Sequence, residues 1–266
     1  MTRPAATPEP RADDVVVRVT DVHKAFGAQK VLRGISFEVR RGRCLGIMGG
    51  SGTGKSVLLR HVIGLMKPDR GSVEVMGRDV ASLTGLELAE MRRHMGYVFQ
   101  EGALVAWLTI AENLALPLKE NTKLKDAEIA DLVAEKLALV HIPDAGAKLP
   151  SQISGGMKKR VGIARALITD PDVILYDEPN AGLDPEISRA INDLMREVSD
   201  HMGTTALVVE HRIECIETVC DEVVFLNAGE VLVQAPIEEF FQSDNPRLVE
   251  FLGPDSLAPR RANKKS

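Results

Sequence analysis

The chain has 266 residues, 44% of them hydrophobic and 27% charged, with a formal net charge of −5. That is the composition of a globular protein long enough to bury a core, and the acidic balance gives no electrostatic footprint for nucleic acid. No run approaches the ~18 consecutive apolar residues of a membrane helix. The three cysteines, Cys44, Cys215 and Cys220, form neither a CxxC pair nor a His-containing cluster, which excludes a disulfide framework and a zinc site and leaves reduced, independent thiols.

Residues 1–13 carry Pro4, Pro8 and Pro10 and no apolar stretch, so they read as a disordered lead and not as a secretory signal. From there, apolar β-rich runs recur at 15–19, 35–39, 44–48, 73–76, 97–99, 173–176, 206–209 and 223–226. Helical patterns fall between several of them. Ile129, Leu132, Val133, Leu137 and Val140 repeat at three- and four-residue spacing, as one helix face requires. Strands alternating with helices predict an α/β fold with a mostly parallel sheet. The stretch of about 102–170 lacks strand patterns and reads as a helical insertion. The chain closes on a short basic segment, 253–266, with Arg260, Arg261, Lys264 and Lys265, expected to be a solvated tail.

The first motif with chemistry follows the run 44–48. Gly49-Gly50-Ser51-Gly52-Thr53-Gly54-Lys55-Ser56 fits GxxxxGK[ST] and opens a helix through Val57, Leu58 and Leu59. Glycines let the backbone turn its N–H groups toward an anion, and a helix N-terminus adds partial positive charge. In such a loop Lys55 reaches the β- and γ-phosphates and Ser56 ligates Mg²⁺. The second motif ends the run 173–176 with Asp177-Glu178-Pro179. Asp177 is placed to hold the Mg²⁺ water shell, and Glu178 is the candidate general base for an attacking water.

A third motif separates this chain from other phosphate-loop proteins. Ile153-Ser154-Gly155-Gly156-Met157-Lys158-Lys159-Arg160 resembles the ABC signature, usually LSGGQ, and precedes the Asp177-Glu178 strand as in that family. The resemblance covers about 15–252. It implies a P-loop NTPase of ABC ATPase type, with a mixed or parallel sheet core, an N-terminal antiparallel β region and an inserted α-helical subdomain at 102–170 within a 14–252 domain. It further implies ATP and Mg²⁺ as ligands, and a head-to-tail dimer of two copies sandwiching two ATPs, each signature capping the γ-phosphate of the ATP held by the other copy. Ser154, Gly155 and Gly156 are then nucleotide contacts. Phe26 occupies the place of the aromatic that stacks on adenine. Gln100 resembles the Q-loop glutamine that senses Mg²⁺ and water and links the site to membrane subunits. Asp184, in Ala181-Gly182-Leu183-Asp184, resembles the D-loop across the dimer interface, and His211 the switch histidine at the γ-phosphate.

Within that family, Phe99-Gln100-Glu101-Gly102-Ala103-Leu104, the Met157 of the signature, Leu116-Pro117-Leu118 and Glu120-Asn121-Thr122 look like the ATPases of Mla/Mce-type systems. Those move phospholipids between the inner and outer membranes of diderm bacteria. The resemblance implies two membrane permease subunits, an Mce-type lipid-binding subunit in the same complex, and a peripheral position on the cytoplasmic side of the inner membrane. Leu104, Trp107 and Leu108 are candidates to receive a permease helix. Glu210-His211-Arg212 departs from the more usual Ser/Thr-His-Asp and is similar to vitamin and metal-ion importers, so a small-molecule importer is the alternative. A soluble ABC protein of translation or DNA maintenance usually has two cassettes or a long coiled coil. A non-hydrolysing scaffold conflicts with the intact Lys55, Asp177, Glu178 and His211.

Overall fold

The computed structural model describes residues 14–100 and 102–253. The predicted lead at 1–13, residues 254–266 of the predicted tail, and Glu101 lie outside the described residues. The chain opens with two twelve-residue strands, β1 (Val15–Phe26) and β2 (Gln29–Arg40), paired antiparallel around a turn at Gly27. Next come β3 (Cys44–Gly49), α1 (Lys55–Val62), β4 (Arg70–Val75), β5 (Arg78–Asp79), α2 (Gly85–Arg93) and β6 (Met95–Val98). Between β6 and β7 the described residues form no strand but three helices, α3 (Ile110–Asn121), α4 (Asp126–Leu139) and α5 (Gly155–Leu167), with 3-10 turns at Pro143–Ala145 and Pro150–Gln152 between the last two. The chain then alternates through β7 (Val173–Asp177), α6 (Pro185–Met202), β8 (Thr205–Val209), α7 (Ile213–Val219) and β9 (Glu222–Asn227). It ends with β10 (Glu230–Pro236), α8 (Ile237–Phe240) and α9 (Pro246–Leu252).

These strands form two sheets. One is antiparallel, in the order β2-β1-β4-β5; the other runs β10-β9-β3-β8-β7-β6, parallel from β9 to β6 with β10 antiparallel on its edge. Every residue of β3 is buried, as expected of a central parallel strand covered on both faces. Alternation of side chains sends neighbours in one strand to different cores. Leu45 and Ile47 of β3, with Leu175, Leu207 and Val224, pack against α1 and the antiparallel sheet through Leu58, Val17 and Ile35. Cys44 and Met48, with Tyr176, Val208 and Phe225, pack on the other side against helical residues such as Ile163, Ile191 and Ile216. The result is a central sheet between an antiparallel sheet and a layer of helices.

Three expectations change in detail. The runs at 15–19 and 35–39 are parts of strands more than twice as long, because the polar residues beyond them pair across the hairpin. The run at 97–99 is shifted to Met95–Val98, where it pairs in register with Val173–Tyr176. The cysteines are all free and buried, but Cys44 and Cys220 are neighbours, with Sγ atoms 3.7 Å apart; Cys215 and Cys220 are pushed well above the usual thiol range by burial.

Candidate nucleotide site

The site is built where β3, β8 and β7, adjacent in the parallel sheet, reach their carboxyl ends; crevices there are the usual ligand positions of such sheets. From β3 the backbone turns through 49–54 into α1. Gly49 lies so close to the neighbouring strand that a Cβ there would stand 2.4 Å from Leu226 O. Gly54, the residue capping α1, has φ 98° and presses on Leu32, where a Cβ would come within 2.6 Å of Cδ2. No side chain caps α1 and no acidic residue sits in its first turn. Its orphan N–H groups therefore face the loop without an internal acceptor, the arrangement that attracts anions. Lys55 is buried, and its Nζ donates to Gly49 O and Gly50 O, each at 2.9 Å. Burial lowers its amine below the ordinary lysine range, opposed by the nearby Glu178, Asp177 and Glu210 carboxylates.

Across the cleft, β7 delivers the acids. Asp177 accepts hydrogen bonds from Ser56 Oγ and from Tyr97 OH, both at 2.9 Å. Burial, then the Asp177 charge, raise the Tyr97 hydroxyl far above its usual range, so it stays a donor. Glu178 holds a left-handed φ of 47°, and its N–H donates to Val209 O at 2.9 Å. Such a conformation costs a non-glycine residue about 1–3 kcal/mol and persists only where the surroundings impose it. Here β8 imposes it. The same strand end carries His211, whose ring is half exposed.

Phe26, Gly49, Gly50, Ser51, Gly52, Gly54, Lys55, Ser56, Glu178 and His211 line one cleft of about 730 Å³, a size suited to a small-molecule ligand. Thr53 lies behind the loop, its Oγ1 donating to Gly50 O, and Asp177 reaches the site through Ser56. The donor pair Ser56 Oγ and Asp177 Oδ1 offers hard oxygens of the kind Mg²⁺ takes together with substrate phosphates. Among the described residues no group of three or more His, Cys, Asp or Glu forms a metal cage.

Five predicted residues lie away from this cleft. Ser154 caps α5, accepting from Met157 N; Gly155 is exposed, and Gly156 is buried against Ile187. Asp184 caps α6, accepting from Ile187 N at 2.9 Å. Gln100 is exposed, and its carbonyl accepts from Lys159 Nζ. Arg165 donates to Ala103 O and Gly102 O, so α5 pins the segment after β6.

The structure also adds residues. Tyr97 bonds the Asp177 carboxylate. Phe251, from α9, lines the cleft and packs on Phe225 with ring centroids 5.1 Å apart. Glu210 is fully buried beneath His211, and Arg212 reaches from the same turn to Leu183 O. No local pattern identifies the first two, which depend on sheet order and on the return of the C-terminal helix.

Comparison with known proteins gives the family and the fold. The ABC transporter family model matches residues 32–181. The probable ribonucleotide transport ATP-binding protein mkl of Mycobacterium tuberculosis is 38% identical over 257 residues, covering 97% of this chain and 72% of that protein. The chloroplastic protein trigalactosyldiacylglycerol 3 of Arabidopsis thaliana is 40% identical over 255 residues, covering 90% of this chain and 73% of that one. The methionine import ATP-binding protein MetN of Brucella abortus is 41% identical over 239 residues, covering 90% and 63%. Among solved structures, the dimeric post-hydrolysis state of the ATP-binding cassette MJ0796, bound to ADP and Pi, superposes with a TM-score of 0.76 at 31% identity, covering 83% of this chain and 98% of that one.

Proposed function

The chain belongs to the ABC transporter family as an ATP-binding, ATP-hydrolysing cassette, and we propose that it powers lipid trafficking between the inner and outer membranes of a diderm bacterium. In this reading 14–252 is the ATPase domain, with 102–170 as its helical subdomain. Two copies close head to tail around two ATPs beneath two permease subunits, with an Mce-type lipid-binding subunit in the same complex. The assembly sits on the cytoplasmic side of the inner membrane. A peripheral position accords with the lack, among the described residues, of a helix long and apolar enough to cross a membrane.

One observation carries the catalytic part: the 49–56 loop, Glu178 and His211 share a cleft, and Ser56 bonds Asp177 beside it. Phe26, half exposed at the rim, stacks on adenine. The 49–54 amides and Lys55 take the phosphates, Lys55 exchanging its two carbonyl acceptors for phosphate oxygens. Ser56 and Asp177, with Gln100, would hold Mg²⁺, which when bound neutralises charge on the β- and γ-phosphate oxygens. Glu178, aimed into the cleft by its left-handed backbone, polarises the attacking water. His211 holds the γ-phosphate. Ser154, Gly155 and Gly156 complete the site of the other copy, and Asp184 lies across the same interface. Those contacts exist only in the closed dimer, so ATP favours closure by its differential affinity and hydrolysis releases it.

Lipid cargo is supported by the resemblance carried by 99–104 and Met157, and by similarity to a relative named for a glycerolipid. Small-molecule import is the second reading, favoured by Glu210-His211-Arg212 and by similarity to a methionine importer. Trp107, 81% exposed beside the half-buried Leu104 and Leu108, suits a permease helix. Charged substitutions at Leu104 and Trp107 are expected to abolish permease binding while ATP binding and folding persist. The cargo is tested by a pull-down from native membranes with Glu178→Gln as bait, identifying bound proteins and lipids. The lipid reading predicts a permease, an Mce-type subunit and phospholipid. Recovery of an amino-acid, vitamin or metal-ion permease contradicts it.

A further inference from the structure

The turn that follows β8 is built differently on its two sides. Glu210 is fully buried, an expensive place for a carboxylate unless its oxygens are bonded. Its Oε1 accepts the N–H of His211 at 2.8 Å and of Arg212 at 3.2 Å, and stands 3.2 Å from His211 Nδ1. Its Oε2 has no hydrogen-bond partner among the described residues. A hydrophobic residue of similar volume would leave those two amides without an acceptor, so packing alone does not account for the carboxylate. Its geometry does: one oxygen fixes both the backbone that carries His211 and the inner nitrogen of the ring, leaving Nε2 for the cleft.

Arg212 points the other way. Its Nη1 donates to Ser188 Oγ at 2.5 Å and its Nη2 to Leu183 O at 3.1 Å. Leu183 precedes Asp184, which caps α6, and Ser188 lies in the first turns of that helix. One guanidinium thus ties the His211 turn to the segment that runs on from Glu178, using a two-pronged contact that a lysine cannot reproduce. We propose that Glu210 and Arg212 are positioning residues for His211: Glu210 sets the ring, and Arg212 locks its turn to the 183–188 segment, so that the histidine and that segment move as one unit. This rests on the assignment of His211 to the γ-phosphate.

The test is a set of mutant cycles on the full-length chain, reading kcat, KM for ATP, nucleotide affinity and thermal midpoint. Glu210→Gln keeps an oxygen for the two amides but turns the carboxylate that faces the ring into an amide. It is expected to lower kcat about tenfold with KM within about twofold. Arg212→Gln is expected to do the same, and Arg212→Lys to recover only part of the loss. In a His211→Ala background, neither change is expected to lower the residual single-turnover rate further, because residues that act through one group are not additive. Wild-type kcat in Glu210→Gln, or an equal loss with and without His211, overturns the proposal. If Glu210→Gln does not fold, the Arg212→Gln and His211→Ala cycle decides by the same criteria. Unimpaired hydrolysis in His211→Ala itself overturns the γ-phosphate assignment and this inference with it; loss in His211→Ala with none in Glu210→Gln or Arg212→Gln overturns this inference alone.

Discussion

The 49–56 loop and the Ser154–Gly156 turn are two glycine-rich helix starts with the same anion-binding logic, yet the fold treats them differently. Around the first, three adjacent strand ends bring Lys55, Ser56, Asp177, Glu178 and His211 together within one chain. Around the second there is a capped helix with an exposed Gly155, packed toward Leu183 and Ile187, and none of Ser154, Gly155 and Gly156 lines that cleft. Such a split is what the proposed head-to-tail dimer requires, in which each chain would carry the full grip on one nucleotide and the lid for another.

Substitutions on the two sides of that comparison should fail in different ways. Glu178→Gln is expected to lower kcat by about 10²–10⁴-fold while ATP binding persists, as for loss of a general base; steady-state hydrolysis and nucleotide titration check both. Gly155→Asp places a carboxylate where a phosphate is expected, at a position whose Cβ meets only Leu183 Cδ2 at 4.0 Å. Its hydrolysis should drop about 10²-fold, with the affinity of the isolated chain for ATP and its thermal midpoint unchanged. Tyr97→Phe strips one of the two hydroxyls from Asp177, and should raise the Mg²⁺ concentration for half-maximal hydrolysis about tenfold, as loss of an outer-shell partner does.

The smallest effect belongs to a residue outside both sites. His61 is buried in α1 with Nδ1 2.7 Å from Val57 O and Nε2 without a partner among the described residues. Burial lowers its pKa from the model-peptide value of 6.5. The unfolded chain therefore takes up this proton first as the pH falls. The stability contribution is intact above 6.5 and is lost below it, with a limiting slope of about 1.4 kcal/mol per pH unit. Denaturant midpoints from about pH 7 down to pH 5 should fall more steeply in the wild type than in His61→Gln.

What could be read from the sequence follows from locality. The 49–56 loop and Asp177-Glu178 are contiguous segments whose flanking strand and helix are visible in the same few residues. The parallel core is legible because β3, β7 and β8 are short and mostly apolar, with polar residues only at strand ends. β10 is not, because an edge strand with a half-exposed pattern carries little hydrophobic signal. Tyr97 was missed because its value lies in β6 pairing with β7, a fact of sheet order. Glu210 stands out in the sequence as a departure, but only three dimensions reveal that it is buried and that Arg212 reaches Leu183 and Ser188.

The composite site is tested most directly by mixing two inactive chains. Lys55→Ala loses its own nucleotide grip, and Gly155→Asp loses the lid it offers a partner. Each alone is expected to be nearly inactive. In a mixed dimer one of the two sites pairs an intact loop with an intact signature, so combining equal amounts should restore about a quarter of wild-type ATPase activity, given random pairing and independent sites. Activity in the mixture no higher than in either chain alone would contradict the head-to-tail sandwich.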